Sequence, residues 1–424
     1  MGGITQEWNR IRSSKLASNA SWMMIGQGVS VVMQAVYFAI LARLLGAVEY
    51  GVFVGAFAFT SIAAQYSTLG AGTVFLRYVA GNRRAFARYW GNLLVLTFIV
   101  GGVLIAIVYV VGREVLNPAS AALVLLAAIA NCLCSQLSTE TGRVFQTFER
   151  MRVTAILNML TNTARALTAG GMLLILHHAT AWQWAVASTI VSGAAALVAV
   201  GCVTVCFGWP QIFPIMFPKH GLEGFEYSLA TSTSTIYNDL DKTLLSHFGL
   251  NLANGIYTVA YRVIDIASLP ILSIRDAAMP RLFESGRTGV KVTAMLSRKL
   301  MNRTFPLGLI MSIAMFLLAP MIPWIFGHGF ADSVSALRWL CPIPLFRSVH
   351  QITGSALTAA GHQRYRTIAQ VAAAALNGAL NLVLIPRFGW LGAAWTSLVT
   401  DGALAATNWL ILQMLSQRLQ PVGV

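Results

Sequence analysis

Charged side chains are scarce in this chain of 424 residues, where they make up 10% of the sequence. A soluble domain carries about 25% charged residues, so this chain cannot cover its surface with solvated side chains. Hydrophobic residues reach 57%, whereas a disordered chain is polar and poor in aliphatic residues. The composition therefore excludes a soluble globular protein and a disordered one, and it indicates an integral membrane protein.

Acidic residues are the rarer of the two charge signs, with 14 Asp and Glu against 29 Lys and Arg. In a soluble protein this excess of positive charge would suggest a nucleic-acid partner. Here no basic patch is interleaved with aromatic residues outside the apolar segments, so we expect no nucleic acid. Membrane proteins concentrate Lys and Arg on their cytoplasmic loops, and this rule accounts for the excess.

Cysteine is also rare, with five residues, and none has the C-x-x-C spacing of a zinc site. Motifs of membrane-associated hydrolases and nucleotide-binding proteins are missing as well: H-E-x-x-H, G-x-S-x-G and the Walker sequence. One D-x-D sequence is present, at Asp239 and Asp241, and it lies inside an apolar segment. We therefore expect no enzyme activity, no cofactor and no metal.

Long apolar runs dominate what is present. A helix needs about 20 mostly apolar residues to cross a bilayer core of ~30 Å. The runs predict twelve transmembrane helices, near 18–42, 51–72, 91–112, 118–138, 153–176, 183–207, 226–248, 252–274, 304–326, 333–358, 367–386 and 391–414. Lys and Arg concentrate on alternate connecting segments, which predicts that both termini are cytoplasmic. The most basic of these segments, 275–303, is predicted to form an amphipathic surface helix.

Two connectors that lie half a chain apart share a sequence pattern. Residues 46–56 and 249–260 each read Gly, four or five residues, Gly, one residue, an aromatic residue, two residues and Ala. Such internal similarity is typical of transporters that rock one lobe against the other. The predicted fold class is an all-α polytopic membrane protein with two six-helix lobes. We expect an N-lobe at 1–207, a cytoplasmic linker at 208–225 and a C-lobe at 226–424.

Several predicted helices carry ionisable and polar side chains, which a bilayer tolerates only where they face protein or water. One interpretation is that they form internal ion pairs between helices, for example Asp239 with Lys242 and Arg262 with Asp265. Burying one ion costs about 2.5–3.5 kcal/mol even on insertion scales. The size of the set therefore favours a shared, water-filled central cavity lined by both lobes.

A cavity of this composition suits a phosphorylated ligand. Arg and Lys attract phosphate, and Arg offers two parallel N–H groups to its oxygens. Hydroxyl, amide and phenol groups suit a sugar, while acidic groups can exchange protons or sodium ions. The predicted substrate-binding residues are Arg165, Lys242, Arg262, Arg347, Thr231, Asn238, Tyr257 and Tyr261, and the predicted ion-coupling residues are Asp239, Asp241, Asp265 and Asp401.

Five segments resemble one family along nearly the whole chain. They are Leu41–Gly51, Leu69–Gly72 ahead of Arg77, Asp241–Leu245, Gly255–Tyr261 and Asn381–Ala394. The sequence is similar to the Wzx-type polysaccharide flippases of the multidrug/oligosaccharidyl-lipid/polysaccharide (MOP) superfamily. The resemblance implies twelve helices in two MATE-like lobes, the bacterial inner membrane and alternating access. It also implies transport of undecaprenyl-pyrophosphate-linked oligosaccharides, coupled to a proton or sodium gradient, for surface polysaccharide, exopolysaccharide or lipopolysaccharide synthesis.

Two alternatives stay open at this point. A drug antiporter of the same superfamily usually has an acidic cavity for cationic substrates, whereas basic and acidic residues balance here. A membrane enzyme of the same pathway, such as a polymerase, usually needs a larger loop for its sugar sites than this sequence provides. Polymerase and chain-length proteins of that pathway are candidate partners, together with the lipid-linked oligosaccharide and the membrane lipid.

Overall fold

The computed structural model describes the backbone at residues 2–212 and 216–418. It describes side chains at residues 28–212 and 224–417, apart from residues 226, 227, 230, 231 and 234. Within these described residues every regular element is helical. The helices of the first half are α1 Gly2–Ala64, α2 Ala71–Gly81, α3 Phe86–Val115, α4 Pro118–Ala121, α5 Val124–Ala128, α6 Gln136–Thr147, α7 Met151–Leu176 and α8 Ala181–Phe207. A π-helical turn, Ile129–Ser135, joins α5 to α6.

The second half begins with a helix that carries much of the polar sequence. Its helices are α9 Met216–His247, α10 Asn251–Thr288, α11 Val290–Leu318, α12 Ile322–Phe326, α13 Ser333–Leu340, α14 Ile343–Ala359, α15 Gln363–Phe388 and α16 Trp390–Arg418. The first helix of this half, α9, begins within the segment 208–225 that was predicted as a linker.

Eight helical stretches in the described part of the chain are long and apolar enough to cross a membrane. They are Gly28–Ala64, Arg83–Val115, Met151–Leu176, Ala181–Phe207, Asn251–Thr288, Val290–Phe326, Gln363–Phe388 and Trp390–Gln417. The all-helical membrane fold is therefore confirmed. The exact count of twelve spans and the cytoplasmic termini stay predictions.

The remaining predicted spans differ from these eight for identifiable reasons. Within α1, Gly46 has φ 70° and is not helical, so the first two predicted spans run on either side of a kink. Glycine adopts this left-handed conformation without a steric penalty. The predicted span 118–138 is divided among short helices, and the predicted span 333–358 is divided between α13 and α14. The predicted span 226–248 lies in α9, which is rich in polar residues.

The basic segment 275–303 does not form a separate surface helix, and that prediction is wrong. Instead α10 continues to Thr288, the chain turns at Gly289, and α11 starts at Val290. Gly289 has φ 131°, which glycine adopts readily and which ends the helix. The basic residues therefore lie on the ends of two long helices.

Contacts divide the chain into two compact units. The N-terminal unit comprises Met1–Leu45 and Ala56–Ser232, and the C-terminal unit comprises Gly46–Gly55 and Thr233–Val424. A buried aromatic cluster around Trp90 and Phe145 stabilises the N-terminal unit. In the C-terminal unit, Leu282, Leu357 and Leu412 form part of another buried cluster. The predicted lobe and linker boundaries stay predictions.

The two connectors that share a sequence pattern pack against each other within the C-terminal unit. A Cβ atom placed on Gly51 would lie 1.8 Å from the carbonyl oxygen of Asn251, and one on Gly255 would lie 2.0 Å from that of Ala47. Only glycine permits this approach. The side-chain amide of Asn254 donates to the carbonyl oxygens of Gly51 and Lys242, at 3.0 and 3.1 Å. The packing therefore holds the end of α9 next to the start of α10.

Candidate functional site

A polar cavity of about 440 Å³ lies within the C-terminal unit. Five helices contribute to its wall, namely α9, α10, α14, α15 and α16. Their polar side chains that line the cavity are Thr233, Tyr237, Asn238, Asp239, Lys242, Tyr261, Arg262, Asp265, Arg347, His350, Gln351, Gln370 and Asp401. The cavity therefore holds three Arg or Lys residues, three Asp residues and one His.

Lys242 is the cation on α9, and only 5% of its side chain is exposed. Its ammonium group lies 3.2 Å from a carboxylate oxygen of Asp239 and 3.5 Å from one of Asp241. The ammonium group also donates to the carbonyl oxygen of Asn238, one helical turn earlier. These contacts satisfy a buried ammonium group, which would otherwise be costly to remove from water.

Arg347 brings a second cation to the cavity from α14. Its guanidinium donates to Asp265 at 2.9 Å and to the hydroxyl of Ser268 at 3.4 Å, both on α10. Arg262 reaches the other carboxylate oxygen of Asp265 at 3.9 Å. Two arginines therefore share one carboxylate, and 42% of that Asp265 side chain is exposed.

The ring of Tyr261 lies close to two cations. The Lys242 ammonium is 5.0 Å from the ring centroid, and the Arg347 guanidinium carbon is 5.5 Å from it. Both distances fall within the range in which a cation is attracted to an aromatic face. The ring thus attracts both Lys242 on α9 and Arg347 on α14, and it leaves their positive charges in place.

Asp241 lies behind the cavity wall, and 2% of its side chain is exposed. The hydroxyl of Tyr257 donates to its carboxylate, and the same hydroxyl is 2.9 Å from the hydroxyl of Ser397 on α16. The backbone N–H of Lys242 donates to the carboxylate at 2.7 Å. Asp241 is therefore held on several sides and positions the neighbouring Lys242.

Asp401 carries a carboxylate that is only partly satisfied. The hydroxyl of Tyr237 donates to one of its oxygens at 2.7 Å, and Nε2 of His350 lies 3.7 Å from the same oxygen. Among the described residues, the second oxygen of Asp401 and Nε2 of His350 are buried without a hydrogen-bond partner. An unpaired buried polar group is costly, so this pair is a candidate for taking up a proton or an ion.

Most of the predicted site residues come together in the C-terminal unit. Seven that share the cavity wall are Asn238, Asp239, Lys242, Tyr261, Arg262, Asp265 and Arg347, with Asp401 as the eighth. Tyr257 and Asp241 form the layer behind it. Arg165 does not line this cavity: it lies on α7 in the N-terminal unit and donates to Ser192 on α8 at 2.9 Å. The side chain of Thr231 lies outside the described residues.

The expected i,i+3 ion pairs are also present, since Lys242 contacts Asp239 and Arg262 contacts Asp265. The two interpretations of the sequence are therefore compatible, because both pairs face the same cavity. The roles assigned to these residues stay predictions.

Sequence reasoning did not assign roles to Tyr237, His350 or Ser397. Tyr237 is the direct neighbour of Asn238, a predicted substrate-binding residue, so the polar sequence around it did contain a signal. His350 follows Arg347 by three residues and so shares its helix face. Ser397 had no such signal, because its contact with Tyr257 joins residues 140 positions apart.

The chain was compared with protein families, with curated protein sequences and with solved structures. The model of the polysaccharide biosynthesis protein family matches residues 16–285. No curated protein sequence matches the chain. Solved structures of similar fold include the inward-facing conformation of a multidrug resistance MATE family transporter of the MOP superfamily, with a TM-score of 0.71 and 15% identity, covering 95% of this chain and 100% of that one.

Two further structures share the fold. Lipid II flippase MurJ in an inward closed conformation has a TM-score of 0.73 and 12% identity, covering 93% of this chain and 90% of that one. A MOP superfamily transporter from Pyrococcus furiosus, described as having a binding pocket of reverse polarity, has a TM-score of 0.63 and 14% identity, covering 95% of each chain. Because the family match spans more than half of the chain, this protein belongs to the polysaccharide biosynthesis protein family, and it is a multi-pass membrane protein with the fold of MOP superfamily transporters.

Proposed function

We propose that this protein is a flippase that moves undecaprenyl-pyrophosphate-linked oligosaccharide units from the cytoplasmic to the periplasmic leaflet. It would act by alternating access, and its product would serve surface polysaccharide, exopolysaccharide or lipopolysaccharide synthesis. We place it in the bacterial inner membrane with twelve helices and both termini cytoplasmic. The excess of Lys and Arg on alternate connecting segments supports this orientation.

The observation that carries the proposal is the cluster of three cations around one cavity in the C-terminal unit. Lys242, Arg262 and Arg347 all line it. All three belong to helices of a chain in which 57% of the residues are hydrophobic. Such groups are tolerated inside a membrane where they face water or a polar ligand. A pyrophosphate supplies several negatively charged oxygens that these cations can bind together.

Asp265 is the carboxylate that a pyrophosphate would displace. It pairs with both Arg262 and Arg347, and it is more exposed than the other paired acids in or behind this cavity, Asp239, Asp241 and Asp401. A ligand oxygen that binds either arginine therefore competes with Asp265, whereas Asp241 is held by the hydroxyl of Tyr257 and the backbone N–H of Lys242. The sugar hydroxyls would contact polar groups such as Asn238 and Gln370, which line the same cavity.

We further propose that acidic residues couple transport to a proton or sodium gradient. Asp401 and His350 form the favoured pair, because each keeps a buried polar atom that has no hydrogen-bond partner in the described part of the chain. Protonating one of them, or binding a cation there, would supply the missing contact. Asp239 and Asp265 lie in the same cavity and would respond to that change of charge through Lys242 and Arg347.

The proposal is tested by assigning lipid-linked oligosaccharide units to a membrane leaflet in a strain that lacks this protein. A flippase requires that the units accumulate on the cytoplasmic side, where a membrane-impermeant reagent added outside cannot reach them. Single units that accumulate on the outer face would instead indicate a polymerase. Normal export together with a loss of resistance to cationic dyes would indicate a drug antiporter, and either result would overturn the proposal.

A further inference from the structure

A second cavity, of about 370 Å³, lies between the two arms of the α10–α11 hairpin. Its wall shares no residue with the polar cavity described above. Arg281 from α10 and Lys299 and Arg303 from α11 surround it, and its floor includes Ala278 and Leu300. A basic rim over an apolar floor differs from the balanced charges of the first cavity.

Each of the two helices lines this groove with a stripe of side chains that have the same spacing. On α10 the lining residues are 274, 277, 278 and 281, and on α11 they are 296, 299, 300 and 303. Both sets follow the i, i+3, i+4, i+7 spacing of one helix face. Because the two arms run antiparallel from the turn at Gly289, Arg281 lies nearer the turn and Arg303 farther from it, with Lys299 between them, so cations and apolar side chains alternate along the groove.

Among the described residues, the three cations of this groove have no counter-ion. Arg281, Lys299 and Arg303 are exposed, and they make no hydrogen bond or ion pair with the side chains that the structure describes. The hairpin 275–303 holds seven Lys and Arg against two acidic residues. One of these acids, Asp276, is bound by Arg275 at 2.7 Å. Three like charges around one groove therefore favour an anionic ligand.

An apolar surface continues from the groove along α11. Ile310 follows Arg303 by seven residues, so it continues the same helix face, and it is 57% exposed. Phe305, Leu309 and Ile313 are exposed on the other faces of this helix. No charged residue interrupts the helix after Arg303. In a membrane-spanning helix such side chains face the acyl chains, so the cations lie where the lipid-facing surface begins.

We infer that this groove binds an anionic phospholipid. The three cations would hold the headgroup phosphate, and an acyl chain would lie along Ile310. Basic pockets between transmembrane helices are suited to acidic headgroups. The apolar floor argues against free phosphate, because a small anion would leave that floor uncovered. Under the orientation proposed above, the lipid belongs to the cytoplasmic leaflet.

The test uses the full-length protein in detergent, titrated with dioleoyl phosphatidylglycerol, with bound lipid counted by native mass spectrometry. Each basic residue near an anionic lipid contributes about fivefold in affinity. The variant R281Q/K299Q/R303Q should therefore bind the lipid at least about tenfold more weakly. The matched control R287Q/K291Q/R298Q removes the same charge from the same hairpin and should change affinity less than about twofold.

Three results would overturn the inference. Equal losses in the two triple variants would mean that binding follows overall charge. Equal binding of dioleoyl phosphatidylcholine would mean that the headgroup charge is not recognised, and full competition by glycerol phosphate would mean that the acyl chain is not recognised. If the triple variant does not fold, K299E replaces it and should also lose affinity. Binding is measured without transport, so a negative result leaves the proposed function untouched.

Discussion

The guanidinium of Arg347 donates to the carboxylate of Asp265 at 2.9 Å and thereby joins α14 to α10 across the polar cavity. Arg262 reaches the same carboxylate from within α10. The carboxylate of Asp265 is therefore shared by two arginines, and these three groups together carry one excess positive charge. Under the proposed function, an incoming phosphate would take the place of Asp265 and pair with both arginines.

The first prediction concerns Arg347. In R347Q the cavity loses a charged hydrogen-bond donor, and each such bond is worth about 1.5–3 kcal/mol, or about ten- to hundredfold in affinity. Export of lipid-linked oligosaccharide should fall by at least about tenfold, while the amount of protein in the membrane stays unchanged. Arg338 lies outside the cavity on α13 and contacts the ring of Phe316, so R338Q is the control. Normal export by R347Q would remove Arg347 from the site.

Asp401 provides the second prediction. In D401N the carboxylate can no longer gain or lose a proton, so transport should lose its dependence on the ion gradient. Y237F removes one hydrogen bond to Asp401 but keeps the carboxylate, and it should stay gradient-dependent with a lower rate. The measurement is uptake into inverted vesicles with and without a proton or sodium ionophore. Unchanged ionophore sensitivity in D401N would count against coupling at this residue, and D276N on the exposed end of α10 serves as the control.

The third prediction concerns the close packing of the two connectors. A methyl group at Gly255 would lie 2.0 Å from the carbonyl oxygen of Ala47, and overpacking of this kind costs about 1–3 kcal/mol. G255A should therefore lower the thermal unfolding midpoint of the purified protein. Gly201 lies within α8 and has no neighbouring atom within 4 Å of a Cβ position, so G201A should leave the midpoint unchanged or raise it. Equal midpoints for both variants would contradict the packing argument.

Arg165 gives the fourth prediction. Its hydrogen bond to Ser192 is made with a hydroxyl group, so S192A removes only one neutral partner. If Arg165 contacts the substrate, R165A should abolish export while S192A keeps at least about a fifth of it, because one such bond contributes only about 1 kcal/mol, or about fivefold. Equal loss in both variants, measured at equal protein levels, would mean that Arg165 only joins α7 to α8.

The polar residues of α9 show how far local sequence reasoning reaches. Asn238 and Lys242, both predicted to bind substrate, are four residues apart and so share a helix face, and they line one cavity. The amphipathic prediction for 275–303 failed, because helix periodicity does not indicate where a long helix stops or turns back. Gly289 ends α10 through its backbone conformation. The position of this helix end therefore depends on a single residue and not on a periodic pattern.

The sequence by itself determined that this chain is a helical membrane protein of its family, because apolar run length, charge scarcity and local motifs act over a few helical turns. It also contained the i,i+3 pairs on α9 and α10. Only the tertiary structure decided that Arg347 meets Asp265 across 82 residues, that Tyr257 meets Ser397 across 140, and that Arg165 donates to Ser192 and does not line the polar cavity. Which helices become neighbours depends on side-chain packing over their whole length, and no local period in the sequence encodes that choice.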